Sequence, residues 1–589
     1  MATMETDVLI VGSGPAGASM GLFLSTYGVS NLIVTRYHRL VRTPRAHLTN
    51  QRTLEALRDV GVEDQVQKLG TPQHLIRENV FCENLAGREI GRIHSWGNHP
   101  ELLARHRLSS PTVYCDLPQD QMEPLLVRNA DLRGSRVRYN AEYLSHTQDD
   151  DGVTVQLKDR LTDQDFEVRC KYLYGADGGN SLIAKHCDLP MEGEMGLAGS
   201  MNIVFEADLS EYVAHRPSCL YWMIQSGSSV GGIGMGVLRM VRPWWRWLIV
   251  WGYDQSQGAP DLNEETCRET IYKIIGDDSV DIHIDSTSFW TVNNQYGKRM
   301  HDRRVFCGGD AMHRHPPTNG LGSNVSIQDS YNLAWKLALV LQGKAEPSML
   351  ESYSEERVPI AKQTVERANK SITDFYPIFG ALGLQSTEDP KVVDAAIDSL
   401  EEASPTGAEK RAALDHAIAG TNYVYNAHGV EMNQRYRDSV AIANDGIPEP
   451  EFKGDPELDF EQTSWPGARV PHAWLRSGRY GKHVVSTVDL VGKGRFSILT
   501  GIGGEGWVGA AEAVGAAAGL EIGAFVVGPG RDYQDVYGDW ARLREIKESG
   551  VLLIRPDAHV AWRYDSASDN ATSLLASALG RVLGRTIDC

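Results

Sequence analysis

The sequence lacks a cysteine pattern, an excess of positive charge and any long apolar run, and each absence excludes a class of protein. The eight cysteines are scattered without a C-x-x-C pair, which argues against a zinc site or a disulfide framework. The formal net charge of -19 at pH 7 argues against nucleic acid or an anionic membrane as the main partner. No stretch approaches the ~20 apolar residues of a membrane span, and no signal peptide is recognisable. We therefore expect a cytoplasmic protein that binds neither nucleic acid nor membrane.

Changes of pattern along the 589 residues indicate several domains. Short apolar strands alternate with helices over residues 1–75 and 113–190, as in βαβ units. Residues 196–290 are β-like and rich in aromatic side chains, and residues 343–440 are helical. A separate α/β unit begins near Trp465. The sequence therefore predicts an α/β fold that is interrupted by a β domain.

A glycine-rich turn near the N-terminus is typical of dinucleotide binding. The apolar segment Asp7–Val11 is followed by Gly12, Gly14 and Gly17, and a helix is predicted from Ala16 through Leu24. In such a turn the first glycine permits the bend, the second lets the backbone approach a phosphate, and the third lets the helix lie against the strand. The N-terminus of the helix then points its positive end at a pyrophosphate. The alternative is an ordinary βα turn rich in small residues.

The next predicted strand departs from the usual dinucleotide pattern. Residues 31–34 are apolar and end on Thr35 and Arg36, where an acidic residue normally binds the ribose hydroxyls. Thr35 retains a hydroxyl that can hydrogen-bond a ribose, whereas Arg36 can face adenine or a phosphate. The sequence leaves this choice open.

A second glycine turn occurs much later in the chain. Gly309-Asp310 is followed by His315-Pro316-Pro317, by the glycine-rich residues 320–324 and by a long predicted helix from Val325. Together with the first turn, this order suggests a flavin held at both ends, with its adenine side at the first turn and its ribityl chain and ring at the second. His313 and His315 also suggest a metal site. Two histidines without further clustered ligands rarely form one, so we expect no metal.

Three motifs in this order resemble the class A flavoprotein aromatic hydroxylases of the phenol hydroxylase type. They are Gly12-x-Gly14-x-x-Gly17, then Gly175-Ala176-Asp177-Gly178, then Gly309-Asp310 followed by His315-Pro316-Pro317. Residues 314–324 and 43–52 are most similar to the bacterial branch that acts on substituted phenols. The resemblance covers the chain nearly end to end.

The resemblance implies a Rossmann-like FAD-binding domain of the p-hydroxybenzoate hydroxylase type, with further domains inserted and appended. The FAD-binding domain would take residues 1–80, 113–190 and 291–385, and the β-sheet substrate domain residues 81–112 and 191–290. A helical linker would cover residues 386–450, and a thioredoxin-like domain residues 451–589. Because this last domain holds only Cys589, it lacks a dithiol and cannot perform disulfide chemistry.

The resemblance also implies a set of flavin contacts. Asp177 and Gly178 would lie where FAD and the nicotinamide cofactor pass, and Asp310 would accept a hydrogen bond from the ribityl chain. Backbone N–H groups of residues 320–324 would face the pyrimidine end of the ring and stabilise the negative charge of the reduced flavin. The structural alternatives are a strand-end turn for Asp177 and a helix cap for Asp310. The implied cofactor-binding residues are Gly12, Gly14, Gly17, Thr35, Arg36, Arg45, Gln119, Asp177, Gly178, Asp310, Pro316, Gly320, Gly322, Ser323 and Asn324.

His47 is the candidate catalytic base. The implied reaction uses NADH or NADPH to reduce FAD, after which O2 is captured as an electrophilic flavin C4a-hydroperoxide. A phenol attacks through its ortho carbon more readily once its hydroxyl is deprotonated, so a base is needed near the phenolic oxygen. A histidine, with an ordinary pKa of about 6.5, suits this task. Asp116 would orient His47 or hold a water molecule. The alternatives are that Asp116 is an acid at a helix N-terminus and that His47 is a surface or core histidine.

Trp222 and Pro317 are the candidate substrate contacts. Trp222 would belong to an apolar wall that stacks on the substrate ring, although a tryptophan in a sheet is often a core residue. Pro316 and Pro317 would fix a rigid loop over the flavin.

The sequence therefore predicts an FAD-dependent monooxygenase that uses NAD(P)H and O2 to convert a substituted phenol into a catechol. It would serve aromatic catabolism and act as a homo-oligomer, either a dimer or a tetramer. One alternative is a flavoprotein reductase or dehydrogenase without oxygen insertion, and another is a non-catalytic flavin-binding scaffold. The second glycine loop and the aromatic β domain argue against both.

Overall fold

The structure is a computed structural model that describes residues 4–226, 235–384, 389–478 and 481–589. Its described strands form three large sheets and one small sheet. Two of the large sheets belong to the first three quarters of the chain, and the third belongs to residues 463–589, called the C-terminal unit below.

The first sheet carries the N-terminal strand at its centre. Its path runs through His301–Asp302, Val305–Cys307, Gln164–Gly175, Met4–Val11, Asn31–Val34 and Arg136–Arg138. Val153–Asp159 and Ala141–Gln148 extend it as antiparallel neighbours of Gln164–Gly175. In the parallel core, Val11 is the register partner of Gly175 on one side and of Val34 on the other, and Gly175 is the register partner of Cys307. The three predicted motifs that follow these strands therefore lie at one carboxyl edge, where open α/β sheets bind ligands.

Five helices near this sheet position the site. They are α1 (Pro15–Thr26), α2 (Gln51–Asp59), α3 (Gln119–Asp131), α4 (Gly322–Leu341) and α5 (Ser352–Thr373). α1 and α4 are buried along most of their length, and the rings of Phe23 and Tyr331 pack 5.1 Å apart between them. α2 begins at an N-cap, Asn50, whose side chain accepts a hydrogen bond from the Thr53 amide, a strong start signal for a helix.

The second sheet is mostly antiparallel. Its order is His313–Arg314, His283–Gly297, Met191–Glu206, Arg246–Tyr253, Gly236–Arg242, Ser218–Met223, Glu78–Cys82 and Glu89–His94. Its aromatic strands bury Tyr221, Trp222 and Trp247 in a core that also contains Phe81 and Phe375. A small sheet joins this region to the first sheet through Leu48–Thr49, Cys115–Asp116 and Thr71–Pro72.

The third sheet belongs to the C-terminal unit. Its order is His483–Ser486, Trp474–Ser477, Tyr533–Gln534, Ile522–Val527, Phe496–Gly501, Val551–Ile554 and Val560–Tyr564. The helices Thr487–Leu490, Glu505–Ala518, Asp539–Leu543 and Ala571–Leu583 accompany it. Its core includes Trp507, Trp562 and Leu579 and continues into Trp335 of α4, so the unit packs directly on α4.

The remaining helices lie around these sheets. The α-helices are Glu63–Leu69, Pro100–Ser109, Leu182–His186, Ser210–Val213, Glu264–Ile275, Tyr376–Leu382, Pro390–Asp398, Pro405–Gly420, Asn422–Tyr425 and His428–Met432. The 3-10 helices are Gln73–Leu75, Gln255–Gln257, Gly309–Ala311, Thr318–Gly320, Pro347–Glu351 and Ser399–Glu401. Among the described helices, none is long and apolar enough to cross a membrane. The architecture confirms the predicted α/β fold class.

Candidate active site

The first glycine turn has the geometry of a phosphate cradle. Gly12 has a φ of +110°, and a Cβ there would lie 2.0 Å from the Ala176 carbonyl oxygen. A Cβ on Gly17 would lie 1.9 Å from the Gly12 oxygen, whereas one on Gly14 would meet only the Glu123 side chain, at 3.8 Å. α1 begins at Pro15 with no side-chain cap and no acidic residue in its first turn. Its first N–H groups thus remain available to an anion, and the open space at Gly14 fits a pyrophosphate.

Thr35 and Arg36 lie at the end of the neighbouring strand. Thr35 is buried, and its backbone amide donates to Arg138, while its hydroxyl lies 3.5 Å from the Tyr37 amide. Arg36 is exposed and donates to the Tyr37 hydroxyl at 3.0 Å. The ribose contact of either residue stays a prediction.

Asp177 caps a short helix. Its carboxylate accepts from the Ser181 hydroxyl at 2.6 Å and from the Leu182 amide at 2.8 Å, at the start of Leu182–His186. Gly178 beside it has a φ of +84°, and a Cβ there would meet no atom within 4 Å. This side of the turn has room for a ligand. The flavin contact of Asp177 and Gly178 stays a prediction.

The second glycine turn packs against the start of α1, next to the first glycine turn. Gly309 has a φ of +63°, and a Cβ on it would lie 2.9 Å from Ala16 Cβ at the start of α1. Asp310 follows with an exposed side chain, so its carboxylate is free to meet a ribityl hydroxyl. Pro316 is buried and Pro317 exposed, in a loop that leads to α4. α4 has no side-chain cap, which leaves the amides around Gly322 and Ser323 facing out.

Asn324 joins the glycine-rich loop at Gly320 to the segment that carries His47. Its side-chain amide donates to the carbonyl groups of Leu48 at 2.8 Å and Gly320 at 2.7 Å, and its oxygen accepts from the Asn50 amide at 3.0 Å. Gly320 has a φ of +62° and lies close to the side chain of Leu48. The side chain of Asn324 is therefore engaged by protein groups, and its predicted flavin contact would have to use its backbone.

Arg45 and Gln119 lie close to the segment that leads to His47. Gln119 begins α3 and donates to Glu123 at 2.6 Å, and Glu123 also accepts from the Val41 amide at 3.2 Å. Arg45 is exposed, and its carbonyl accepts from Arg239 at 2.7 Å. The structure thus brings both residues to the loop that precedes His47.

His47 and Asp116 form a hydrogen-bonded pair. His47 Nδ1 lies 2.6 Å from Asp116 Oδ2, although the residues are 69 positions apart. The small sheet makes the pair, because Leu48 is the antiparallel partner of Asp116 and the Leu117 amide donates to the His47 carbonyl at 2.7 Å. The Asp116 side chain is completely buried, whereas His47 keeps 14% of its side chain exposed. The Asp116 carboxylate thus holds the imidazole while part of the His47 side chain remains exposed.

The electrostatic surroundings keep His47 neutral and Asp116 charged near neutral pH. Burial and the positive charge of Arg239 lower the pKa of His47 from 6.5, and Asp116 offsets only part of that shift. Burial alone would raise the pKa of Asp116, but His47 and Arg239 outweigh it and lower that pKa. Since Nδ1 faces the carboxylate, Nδ1 carries the proton and Nε2 is left as a proton acceptor.

Arg239 is a site residue that sequence reasoning missed. It is buried, it donates to the Pro44 and Arg45 carbonyls, and its Nη2 lies 3.8 Å from Asp116 Oδ1. Within the described residues, its Nε and Nη2 and Asp116 Oδ1 have no hydrogen-bond partner. The signal was present in the sequence, since Arg239 interrupts the apolar strand Gly236–Arg242. A buried cation with unused donors is suited to binding an oxyanion.

Trp222 and Cys219 lie on the neighbouring strand of the second sheet. The centroid of the Trp222 ring lies 4.6 Å from that of Phe375 and 6.5 Å from that of Phe81, and the three rings form an aromatic wall. The Cys219 thiol accepts from the Trp96 indole at 3.2 Å. Cys219 lies close to the dyad, because ligand atoms of His47, Asp116 and Cys219 lie within 4.8 Å of one another. Whether Trp222 and Pro317 contact the substrate stays a prediction.

The two histidines of the second glycine turn are engaged by protein groups. His313 is completely buried, and its Nε2 lies 2.8 Å from Asp329 Oδ2. His315 Nδ1 lies 2.7 Å from the Pro316 carbonyl oxygen, and burial lowers its pKa to about 4. Both side chains serve to fold this loop.

Two family models match the chain. The model described as FAD binding domain matches residues 5–368, and the model described as aromatic-ring hydroxylase, C-terminal, matches residues 463–586.

Curated relatives match nearly the full length of the chain. The 2,4-dichlorophenol 6-monooxygenase of Delftia acidovorans is 54% identical over 98% of this chain and 98% of its own. The phenol 2-monooxygenase of Pseudomonas sp. (strain EST1001) is 46% identical over 97% of this chain and 92% of its own. The solved structure of the flavin-dependent monooxygenase PieE, in complex with FAD and substrate, is 43% identical and covers 99% of this chain and 100% of its own, with a TM-score of 0.94.

Proposed function

The chain belongs to the FAD-dependent aromatic-ring hydroxylases, and from this premise we propose that it hydroxylates a substituted phenol ortho to its hydroxyl group. The co-substrates are O2, a proton and NADH or NADPH, and the products are a catechol, water and the oxidised nicotinamide NAD(P)+. The observation that carries the proposal is the His47–Asp116 pair, 2.6 Å apart beside the buried cation of Arg239.

The residues at the carboxyl edge of the first sheet fit FAD. The backbone around Gly12 and Gly14 would hold the pyrophosphate, Asp310 the ribityl chain, and the amides near Gly322 and Ser323 the pyrimidine edge of the ring. When bound, FAD supplies the transfer of electrons from NAD(P)H and the activation of O2. The protein contributes position, charge and exclusion of water.

His47 acts as the base. With Nδ1 held by Asp116, Nε2 takes the proton of the phenolic hydroxyl, which makes the ortho carbon more nucleophilic. Asp116 stays ionised and stabilises the imidazolium that forms, as a carboxylate does in other acid–base pairs. Arg239 offers its unused N–H groups to the phenolate oxygen. The buried surroundings strengthen each of these interactions.

The substrate is a monocyclic phenol that carries small substituents. The relatives named for dichlorophenol and phenol are 54% and 46% identical, whereas those named for tetracenomycin and aklavinone intermediates are 30% identical. The wall of Trp222, Phe81 and Phe375 supplies an apolar face for such a ring. One substituent is worth only ~1–3 kcal/mol of discrimination, so we expect several phenols to be accepted.

The same proposal places the enzyme in the cytoplasm as a homo-oligomer, either a dimer or a tetramer. Its cysteines are free, and those apart from Cys589 are buried, which suits a reducing compartment that also contains NAD(P)H. Sedimentation analysis of the purified holoenzyme gives the subunit number, and a monomer at working concentration would refute this part.

The test is turnover of the purified holoenzyme with NADH or NADPH across a panel of phenols. Cofactor oxidation, hydrogen peroxide and product mass are recorded together. We expect at least one substituted phenol to stimulate oxidation and to give a catechol with little peroxide. Cofactor oxidation that yields only peroxide with every phenol would favour a flavoprotein reductase instead.

A further inference from the structure

A single buried carboxylate ties down the second glycine turn. Asp329, in the middle of α4, accepts from the Gly309 amide at 3.1 Å and from His313 Nε2 at 2.8 Å through the same oxygen. Its other oxygen accepts from Arg357 Nε at 2.8 Å, and both partners of this ion pair are completely buried. Asp329 thus holds both ends of the turn that carries Asp310. Gly309 adopts a left-handed φ of +63° in this turn, a conformation that glycine reaches without strain.

The anchor continues through α5. Arg357 follows directly on Glu356, and the two side chains leave the helix in different directions. Arg357 reaches Asp329 and also donates to Gln434 at 2.9 Å. Glu356 accepts from Lys336 of α4 at 2.8 Å, while Tyr353, one turn earlier in α5, donates to the Cys307 carbonyl at 2.9 Å just before the glycine turn. Movement of α5 would therefore disturb the turn at two points.

The far end of this connection is Arg555 of the C-terminal unit. Both terminal nitrogens of Arg555 donate to Glu356, at 2.5 Å and 2.9 Å, and its Nε donates to Asp557 at 3.0 Å. The guanidinium also lies over the Trp335 ring of α4, 5.1 Å from its centroid. Glu356, Lys336 and Arg555 are all completely buried.

These buried charges depend on one another. Burial alone would raise the pKa of Glu356, but Arg555 and Lys336 outweigh it and lower that pKa to about 2. Burial lowers the pKa of Lys336 to about 8. Removing one member of such a network leaves an uncompensated buried charge, which costs far more than the pair contributes. Loss of Arg555 would therefore leave Glu356 of α5 with Lys336 of α4 as its remaining cationic partner.

We propose that the C-terminal unit clamps the flavin-facing turn through Arg555, Glu356, Arg357 and Asp329, so that its docking and the binding of FAD stabilise each other. These four are positioning residues, which act on FAD through Gly309 and His313. Other contacts hold the unit without reaching the turn, among them the buried ion pair of Arg469 with Glu55 of α2. The proposal does not depend on which phenol is hydroxylated.

The test compares Arg555→Gln with Arg469→Gln in the full chain. Each change breaks a buried ion pair at the same junction, and both variants should lose thermal stability. FAD is titrated into each apoprotein, and quenching of flavin fluorescence gives the dissociation constant. We expect Arg555→Gln to weaken FAD binding at least tenfold and Arg469→Gln to stay within twofold of the parent. Equal dissociation constants in the two variants would overturn the proposal.

A second readout uses amide hydrogen exchange in the apoprotein. Arg555→Gln should speed exchange in the peptide that contains Gly309 and Met312, and Arg469→Gln should not. By the reciprocity of linked equilibria, adding FAD to the parent apoprotein should slow exchange around residues 555–559. Absence of that protection would contradict the clamp.

Two further variants guard against simple misfolding. Arg555→Lys keeps the charge but loses the paired geometry, and should give an intermediate FAD affinity. Asp329→Asn breaks the other end of the connection, and the double variant Asp329→Asn/Arg555→Gln should bind FAD no more weakly than the weaker single variant. Additive losses in the double variant would mean that the two residues act independently, and the clamp would be rejected.

Discussion

At the scale of single residues, the proposed chemistry depends on His47. Its Nδ1 faces Asp116 and its side chain is partly exposed, so Nε2 is the atom that we propose as the base. We predict that His47→Ala slows hydroxylation by roughly 10²–10⁴-fold at neutral pH, the usual contribution of general base catalysis. The variant should still bind FAD, because no flavin contact is lost. Product formation and the flavin absorption spectrum are measured on the same sample, and an unchanged rate would remove His47 from the mechanism.

The pKa of His47 predicts the pH dependence. Burial and Arg239 lower this pKa from 6.5, and the base works only when neutral, so the acid limb of the kcat/KM profile should lie below pH 6.5. Asp116 raises the pKa of His47, so Asp116→Asn should move the acid limb to still lower pH while hydroxylation slows. If the acid limb of the Asp116→Asn variant stays in place or moves to higher pH, the His47–Asp116 pair does not set the pKa seen in the profile.

At the scale of elements, the proposed FAD site depends on the two glycine turns. We predict that Gly309→Ala weakens FAD binding at least tenfold, since its Cβ would lie 2.9 Å from Ala16 at a φ of +63°. Gly343→Ala is the matched control, because Gly343 has a φ of +67° but open space around it. Each change costs about 1–2 kcal/mol of backbone strain. Only the first should change the FAD dissociation constant, and an equal effect of both would contradict the role of this turn.

The strand–turn–helix elements were predictable from sequence, whereas the dyad geometry was not. The periodicity and the glycines locate the strand before Gly12 and the two helices that begin at Pro15 and Gly322, because these signals are local. The 2.6 Å contact of His47 with Asp116 depends on the pairing of two-residue strands, which leave almost no pattern. The resemblance named both residues, and only the fold brings Arg239 to them.

At the scale of the whole molecule, a buried acid predicts how stability varies with pH. The Tyr114 hydroxyl donates to Glu431, and burial raises the pKa of Glu431 from 4.5 to about 8. Between these two pKa values the folded protein keeps a proton that the unfolded chain releases. Glu431 therefore lowers the free energy of unfolding as the pH rises from about 4.5 to about 8, and its contribution stays constant above pH 8.

The corresponding prediction concerns Glu431→Gln. The amide cannot ionise, so its free energy of unfolding relative to the parent should increase steadily between pH 5 and 8. Urea unfolding at several pH values gives the difference, which isolates this group from the others that titrate. A constant difference across that range would contradict the buried neutral acid.

The most direct measurement of the central claim follows the oxygen atom itself. The holoenzyme is supplied with NAD(P)H, a phenol that stimulates its turnover, and ¹⁸O2 in ordinary water, and the product is examined by mass spectrometry. We predict a catechol with one ¹⁸O atom, located ortho to the original hydroxyl. A product without ¹⁸O, or reduction of all the oxygen to hydrogen peroxide, would contradict the assignment as a phenol monooxygenase.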